Sequence, residues 1–312
     1  MTPSPGVVPQ VCILCRQSAY TQVKQFADGV VVGRCVGCGL LYTPFRHPEP
    51  ESLLAGNEIN DLKVLSRPIV DGTKRHYRSQ NFAEYLVQIE KHAPGRRLLD
   101  VGCAQGFFLA AARERGYEVV GIEPSRPVAL FAREALGLTI LEGRLCDVDL
   151  GDREWDVVTF TDSLEYLPDP LEGLRKIVAH LAPRGIVFLK VPNGDYFLLR
   201  NVMEQRLGRG VGLDEAFGPS RRVVHYTGLT LDRLVELGGL KRLDWGVCRP
   251  IDSPPWVEWT GLALEMQPPG FAGSSLRLAR RALHAFSRVE MMFFPARNHF
   301  AQALFLVAAR VE

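Results

Sequence analysis

The sequence has no long apolar run, no strong excess of either charge and no secretory leader. No apolar stretch among its 312 residues approaches the length of a membrane-spanning helix, about 18 residues. The opening MTPSPGVVPQVC shows neither the basic region nor the following apolar region of a secretory signal. The 37 Lys and Arg and 35 Asp and Glu leave a formal net charge of +2, whereas electrostatic nucleic-acid binders are far more basic. Apolar residues at 46% and charged residues at 23% are ordinary for globular proteins. We therefore expect a cytoplasmic globular protein of about two domains.

Four of the seven cysteines form two close pairs. Cys12 and Cys15 make the first Cys-x2-Cys pair, and Cys35 and Cys38 make the second, 19 residues further on. In a chain without a secretory leader, paired thiols bind metal more often than they form disulfides. Four thiolates also match the tetrahedral geometry and soft-ligand preference of Zn2+ in a closed structural site. The spacing predicts a structural zinc site, and the alternative is two unrelated close pairs.

Short apolar segments alternate with longer helical patterns between residues 81 and 192. Strands are expected at 98–101, 118–122, 139–141, 155–161 and 185–191, and helices at 81–92, 107–116, 125–137 and 170–182. This alternation predicts an α/β fold, a doubly wound parallel sheet with helices on both faces. Further helices are expected at 229–238 and 274–294, and further strands at 243–248 and 302–311. The chain thus divides into a zinc-binding module at 1–50, a linker or lid at 51–80 and the α/β domain at 81–312.

A glycine-containing loop joins the first strand of this domain to its helix. Gly102 permits a tight turn after Asp100, and the small residues Ala104 and Gly106 permit close approach of a ligand and of the helix. Glu123 ends the next strand, where an acid can accept both hydroxyls of a ribose. The loop lacks the G-x-G-x-x-G pattern of dinucleotide sites, and Asp100 suits a cationic amino group better than a pyrophosphate. We therefore expect a nucleoside-bearing ligand other than NAD.

Four segments carry a family resemblance. LLDVGCAQGFFL, VVGIEPS, WDVVTFTDSLEYLPDP and GIVFLKVPN resemble the successive motifs of class I S-adenosylmethionine-dependent methyltransferases of the methyltransferase-23 type. The resemblance implies a Rossmann-like sheet of seven strands, of which the last, QALFLVAARV, is antiparallel. The four-cysteine segment resembles the zinc-ribbon-like module of a bacterial subgroup that acts on polysaccharides and natural products. By the same resemblance, 193–225 and 250–300 are acceptor-site or accessory insertions.

The resemblance also implies the residues of the cofactor site. S-adenosylmethionine would be bound by Asp100, Gly102, Cys103, Ala104, Gly106, Glu123, Pro124, Leu145 and Asp162. The segment 100–106 and Asp162 would hold the methionine end, and Glu123 would bind the ribose. Pro124 and the backbone at Leu145 would border the adenine.

Three residues are candidates for a role in the transfer step. His225 precedes a predicted helix in a segment that resembles the acceptor border of relatives, and its side chain titrates where a base is useful. Tyr166 and Glu165 follow the strand at 155–161, near the carboxyl edge of the sheet. The alternatives are a surface histidine, a packed tyrosine and a glutamate that accepts local backbone hydrogen bonds.

The leading hypothesis is a methyltransferase that acts on a small-molecule or sugar acceptor, most simply at oxygen. One alternative is an RNA methyltransferase that binds nucleic acid through its zinc module. The other is a non-catalytic binding protein that zinc stabilises. Arginines in 193–224 favour an anionic acceptor or belong to a solvated face. The basic amphipathic pattern at 274–294 predicts either peripheral membrane contact or packing on the core. The sequence leaves the oligomeric state open.

Overall fold

The computed structural model describes residues 8–26, 29–46, 66–67, 69–73, 76–207, 222–250, 271–294 and 298–311. Short antiparallel strands occupy the first 46 residues: β1 Val8–Pro9, β2 Tyr20–Gln25, β3 Val31–Cys35, β4 Leu41–Tyr42 and β5 Phe45–Arg46. β1 pairs with β5, while β2, β3 and β4 lie side by side in a second sheet. Most of the predicted lid at 51–80 lies outside the described residues.

The following strands build the α/β domain. In chain order they are β6 Arg97–Val101, β7 Glu118–Glu123, β8 Thr139–Glu142, β9 Trp155–Thr161, β10 Leu181–Pro192, β11 Val224–His225, β12 Leu240–Val247 and β13 Ala303–Arg310. All except β11 form one seven-stranded sheet in the order β12-β13-β10-β9-β6-β7-β8. β13 is antiparallel to both of its neighbours, whereas β6 to β10 run parallel. The predicted seven-stranded fold with an antiparallel last strand is confirmed.

Helices cover both faces of this sheet. They are α1 Ser79–Glu90, α2 Phe107–Glu114, α3 Arg126–Leu136, α4 Pro170–Ala179, α5 Gly194–Leu207, α6 Gly228–Leu237 and α7 Phe271–Phe293. Alternate residues of one strand point to opposite faces, so Leu98 of β6 packs with α1, α2 and α3 while Leu99 packs with α4 and α6. None of the helices that the structure describes combines the length and the apolar character needed to cross a membrane.

Two local features of the domain depend on tertiary contacts. The helix expected at 170–182 ends at Ala179, because Leu181 is buried and pairs with Trp155 as the start of β10. The helix expected at 125–137 begins at Arg126, and the hydroxyl of Ser125 directly before it does not cap the helix. Its backbone amide instead donates to the carboxylate of Glu123, at 2.8 Å. In both cases a tertiary partner outside the local segment decides the geometry.

The N-terminal strands are joined directly to the α/β domain. Val224 and His225 of β11 pair with Tyr42 and Leu41 of β4, so β11 is an edge strand of the N-terminal sheet. Cys12 and Tyr42 belong to the same apolar cluster as residues of β9, α4 and α6. The domain boundaries remain predictions, but the described parts of the module and the domain share one core.

Two glycines with similar backbone angles provide a matched test of the loop before α2. Gly106 has φ +80° and a Cβ built there would lie 2.4 Å from Leu138 Cδ1, whereas Gly116 has φ +83° and open space. Gly116→Ala should lower the free energy of unfolding by only about 1–2 kcal/mol, because alanine is strained in the left-handed conformation. Gly106→Ala should lower it by about 1–3 kcal/mol more, because the added methyl group overpacks the core. Urea unfolding measures both free energies, and equal losses in the two variants would contradict the close packing at Gly106.

Candidate active site

The glycine loop lies at the point where the strand order of the sheet reverses. From β6 the chain proceeds to β7 and β8 on one side, and then to β9 on the other. Such a switch point opens a crevice at the carboxyl ends of the two strands. The amides of Gly102 and Cys103 both donate to the carbonyl of Ile122, at 2.8 and 3.0 Å. Gly102 has φ +75°, and an added Cβ would lie 2.6 Å from the Cβ of Ser163, which follows β9. Glycine is therefore required at this position by both conformation and packing.

Glu123 ties the loop to the end of β7. One carboxylate oxygen accepts the amide of Ala104 at 2.9 Å, and the other accepts the amide of Ser125 at 2.8 Å. Burial raises the pKa of Glu123, and these two hydrogen bonds oppose the rise because they favour the charged form. Each oxygen keeps a further lone pair, so the carboxylate can accept two more hydrogen bonds.

Asp100 ends β6 beside this loop and is almost fully buried. Its Oδ1 accepts the hydroxyl hydrogen of Thr159 on β9, at 2.6 Å. Burial raises the pKa of Asp100 to about 7 against the effect of that hydrogen bond, and the nearby charge of Glu123 adds to the rise. A cationic group bound beside Asp100 would lower this pKa again.

Asp162 follows β9 and lies in a network of charges. Its carboxylate pairs with Lys190 of β10 and with Arg78, whose Nη1 lies 3.0 Å from Oδ2. Burial by itself would raise the pKa of Asp162, but Lys190 and Arg78 hold it below its ordinary value. Asp162 also has a backbone φ of +59°, an uncommon angle for a residue other than glycine. The network anchors the segment before α1 to this edge of the sheet.

The remaining predicted cofactor residues lie around the loop in different environments. Cys103 is buried against β7, and a Cβ added to Gly121 would lie 2.5 Å from its sulfur. Pro124 is half-buried directly after Glu123. The carbonyl of Leu145 accepts a hydrogen bond from Lys176 of α4, at 2.7 Å. The loop that contains Leu145 reaches this site because the Gly143 amide donates to the carbonyl of Glu123.

Glu165 lies in a short 3-10 turn, Leu164–Tyr166, and its side chain is 1% exposed. Neither carboxylate oxygen has a hydrogen-bond partner among the described residues. Among the described residues, the ion-pair partner of Glu165 is Arg222, whose Nε lies 3.9 Å from Oε1. Burial raises the pKa of Glu165 to about 7, and the charge of Asp162 adds to the rise. A buried carboxyl with a pKa near neutrality suits proton transfer.

Arg222 is positioned by the N-terminal module. Its carbonyl accepts the hydroxyl hydrogen of Thr43 at 2.9 Å, and the amide of Thr43 donates to Val223 at 3.0 Å. The amide of Val223 in turn donates to the carbonyl of Glu165, at 2.8 Å. The guanidinium lies over the ring of Phe197 in α5, 5.6 Å from its centroid. The edge of the N-terminal sheet thus holds the arginine against the turn that carries Glu165.

The two other candidates for the transfer step differ in exposure. Tyr166 is 38% exposed as a residue, but burial around its hydroxyl raises its pKa, and the charge of Arg222 acts against that rise. His225 is buried in β11, with its ring edge-on to Phe197 at 6.2 Å between centroids. Burial and the charge of Arg222 lower the pKa of His225 to about 3. The imidazole is therefore neutral at physiological pH and a weak base.

The four paired cysteines form a cluster of metal-ligand geometry. Cys12 and Cys38 have their sulfurs 3.4 Å apart, as do Cys15 and Cys35, and all four sulfurs lie within 4.8 Å of one another. A tetrahedral zinc ion with Zn–S bonds of about 2.3 Å separates its sulfurs by about 3.8 Å, which fits this cluster.

Both cysteine pairs sit on turns of the same kind. The amide of Arg16 donates to the carbonyl of Cys12 at 2.8 Å, and that of Gly39 donates to Cys35 at 3.0 Å. Arg16 and Gly39 have φ of +61° and +77°, so each turn ends in a left-handed residue. The repeated turn points both pairs of sulfurs to one centre.

Comparison with known proteins identifies the family. The family described as "Methyltransferase domain" matches residues 74–243, which is more than half of the chain. The chain belongs to this methyltransferase family. The family expected from the sequence motifs is therefore confirmed.

Curated relatives of this methyltransferase chain match over roughly a third of its length. A ubiquinone biosynthesis O-methyltransferase from Haemophilus ducreyi is 34% identical over 109 residues, 32% of this chain and 46% of that protein. One of the same name from Idiomarina loihiensis is 34% identical over 133 residues, 38% of this chain and 51% of that protein. The chain thus spans about half the length of the curated relatives it matches.

Solved methyltransferase structures align over more of the chain at lower identity. The CcbJ methyltransferase from Streptomyces caelestis has a TM-score of 0.48 at 15% identity, covering 77% of this chain and 98% of that one. An S-adenosylmethionine-dependent methyltransferase from Mesorhizobium loti has a TM-score of 0.45 at 19% identity, covering 77% of this chain and 100% of that one.

Sequence reasoning missed several polar partners in the methyltransferase site. Thr159 and Lys190 each interrupt an apolar strand, and that interruption is the signal by which they are recognisable. Arg78 lies in the segment taken as a lid, where nothing in the sequence connects it to Asp162. Arg222 was noted only as one of several arginines, and its pairing with Glu165 depends on the tertiary structure.

Metal analysis tests the cysteine cluster. We expect one zinc per chain after reducing, chelator-free purification, and we expect Cys15→Ser to lose it. Since β4 pairs with β11, loss of the metal should also speed amide hydrogen exchange at Val224 and His225. Cys146→Ser is the matched control, because Cys146 is exposed and outside the cluster. A metal-free wild-type protein with protected β11 amides would contradict the zinc assignment.

Proposed function

We propose that this protein transfers the methyl group of S-adenosylmethionine to a hydroxyl oxygen of a small molecule, such as a sugar or natural product, in the cytoplasm. The observation that carries the choice of oxygen is Glu165, a buried carboxyl group with a raised pKa that lies at the carboxyl edge of a methyltransferase domain. The curated relatives named O-methyltransferases support the same acceptor atom over the part of the chain that they match. The four-cysteine cluster would hold zinc in a structural role.

The residues of the glycine loop fit S-adenosylmethionine. The free lone pairs of Glu123 suit the two hydroxyl donors of a ribose, and the carboxyl of Asp100 suits the ammonium of a methionine moiety. Gly102, Cys103, Ala104 and Gly106 would line the methionine end together with the backbone at Asp162. Pro124 and Leu145 would border the adenine.

S-adenosylmethionine supplies a methyl carbon on a positively charged sulfur, a good leaving group for in-line displacement. The main task of the protein is then to align the acceptor oxygen, which contributes up to about 7–11 kcal/mol in favourable cases. A general base contributes roughly another 10²–10⁴-fold for a hydroxyl acceptor. We assign this base to Glu165, because its pKa of about 7 suits proton uptake from the acceptor at neutral pH.

The neighbours of Glu165 would serve the acceptor in different ways. Arg222 lies 3.9 Å from Glu165 and supplies a positive charge that favours the ionised base. Tyr166, beside Arg222 in the same region, would donate a hydrogen bond to the acceptor. His225 would shape the acceptor border as a neutral side chain, because its pKa of about 3 makes proton uptake weak at neutral pH.

Glu165→Gln tests the base. The substitution keeps the size of the side chain and removes its basicity, so kcat should fall by roughly 10²–10⁴-fold. The dissociation constant for S-adenosylmethionine should change by less than about twofold. Glu172→Gln is the matched control, an exposed glutamate in the first turn of α4.

The pH dependence of the wild-type kcat separates Glu165 from His225. A base must be deprotonated to act, so kcat should rise with pH through about 7 if Glu165 is the base. With His225 as base, the rise would lie near pH 3 and kcat would be flat at higher pH. A flat profile together with an active Glu165→Gln variant would refute the assignment.

Glu123→Ala tests the cofactor site. It removes both the ribose acceptor and the two loop hydrogen bonds, so the dissociation constant for S-adenosylmethionine should rise at least about tenfold. Isothermal titration calorimetry measures the constant. Glu118→Ala, an exposed position at the other end of β7, should leave it unchanged. Equal affinities of the Glu123 variant and the wild type would disprove the ribose assignment.

A further inference from the structure

The last part of α7 is attached to the domain through its polar side. Ser287 is fully buried, and its carbonyl accepts a hydrogen bond from Asn298 at 2.8 Å. Glu290 accepts the backbone amide of His299 at 2.9 Å and binds its ring nitrogen at 2.7 Å. Asn193, directly after β10, donates to the carbonyl of Ala301 at 2.9 Å. These contacts fix α7 at the carboxyl edge of the sheet, which also carries the candidate active site.

The opposite side of α7 is apolar and exposed. At 100° per residue, Leu278, Phe286, Val289, Met292 and Phe293 fall within an arc of about 120°, whose centre lies about 160° from Ser287. All five are exposed, and Met292 and Phe293 reach 80% and 73%. Only Phe286 shows an aromatic contact in the described residues, edge-on to Phe300 at 4.8 Å. A helix that packs its polar side inward and presents an apolar arc outward marks an interaction surface.

The charges of α7 indicate what this surface binds. The helix has arginines at 277, 280, 281 and 288 and one acid, Glu290, which is engaged with His299. On the helical wheel the positions of Arg277, Arg281 and Arg288 fall on one flank of the apolar arc, whereas position 280 falls opposite its centre. The side chains of Arg281 and Arg288 are exposed. An apolar arc beside a basic flank matches a surface that has an apolar interior and carries negative charges at its boundary with water. That is the interface of an anionic lipid bilayer.

We propose that α7 lies flat on an anionic membrane, with its apolar arc at the acyl boundary and its arginines among the lipid phosphates. Helices of this type bury the apolar side only about 5–10 Å deep, so they attach a protein without spanning the bilayer. Attachment through α7 would place the carboxyl edge of the sheet near the membrane surface.

Vesicle sedimentation of the full chain tests this proposal. The wild type should bind vesicles of phosphatidylcholine with phosphatidylglycerol at least about tenfold more tightly than pure phosphatidylcholine, and added salt should weaken the binding. Met292→Gln/Phe293→Gln and Arg281→Gln/Arg288→Gln should each weaken binding at least about tenfold without changing the melting temperature. Leu243→Gln, which removes an exposed leucine from β12, should bind as the wild type does.

Three results would overturn the membrane assignment. The first is a wild type that fails to bind the anionic vesicles, or a Met292→Gln/Phe293→Gln variant that binds as well as the wild type. The second is a dimer that this variant dissociates in the absence of vesicle binding, which would make the surface a contact between two copies. The third is a lowered melting temperature of the variant without vesicle binding by the wild type, which would show that the surface packs within the chain.

Discussion

The carboxylate of Glu123 connects the two structural parts on which the candidate site depends. It accepts one amide from the glycine loop and one from the start of α3, so a single side chain links the loop after β6 to the segment after β7. Burial makes the charged form costly, and the two amides offset that cost in part. A carboxylate held in this way is already oriented, with lone pairs left for a ligand. The same group therefore organises the loop and prepares it to bind.

The acceptor side of the site depends on a second constraint, the pairing of β4 with β11. This pairing brings the backbone of Thr43 against Arg222 and Val223, and Val223 against the turn that carries Glu165. A module of this size has little core of its own, so a metal ion bound by the four cysteines would supply much of its folding free energy. Because β4 and β11 share a sheet, a loss of stability in the cysteine cluster would also affect the position of Arg222. A structural metal in this cluster would thus influence the position of Arg222 without taking part in the chemistry.

A network of charges at the ends of β9 and β10 affects the protonation of Glu165. Asp162 is held ionised by Lys190 and Arg78, and its negative charge in turn favours the protonated form of the nearby Glu165. The positive charge of Arg222 lowers the pKa of Glu165 and so favours its ionised form. Burial is thus the main cause of the raised pKa of Glu165; the charge of Asp162 adds to it, and those of Arg222 and Lys190 oppose it.

Much of this molecule is determined by its sequence. Apolar periodicity located the central strands, and the glycine loop with acids at two strand ends located the candidate nucleotide site, because both signals are local and repeat with known spacing. The cysteine spacing predicted a cluster that the structure brings together. Only the tertiary structure decided that β11 joins the N-terminal sheet, that Arg222 meets Glu165, that His225 is buried and neutral, and that α7 turns its apolar side outward. Each of these features depends on contacts between segments far apart in the chain, or on which side of an element faces the core. Local sequence patterns do not determine either of these two factors.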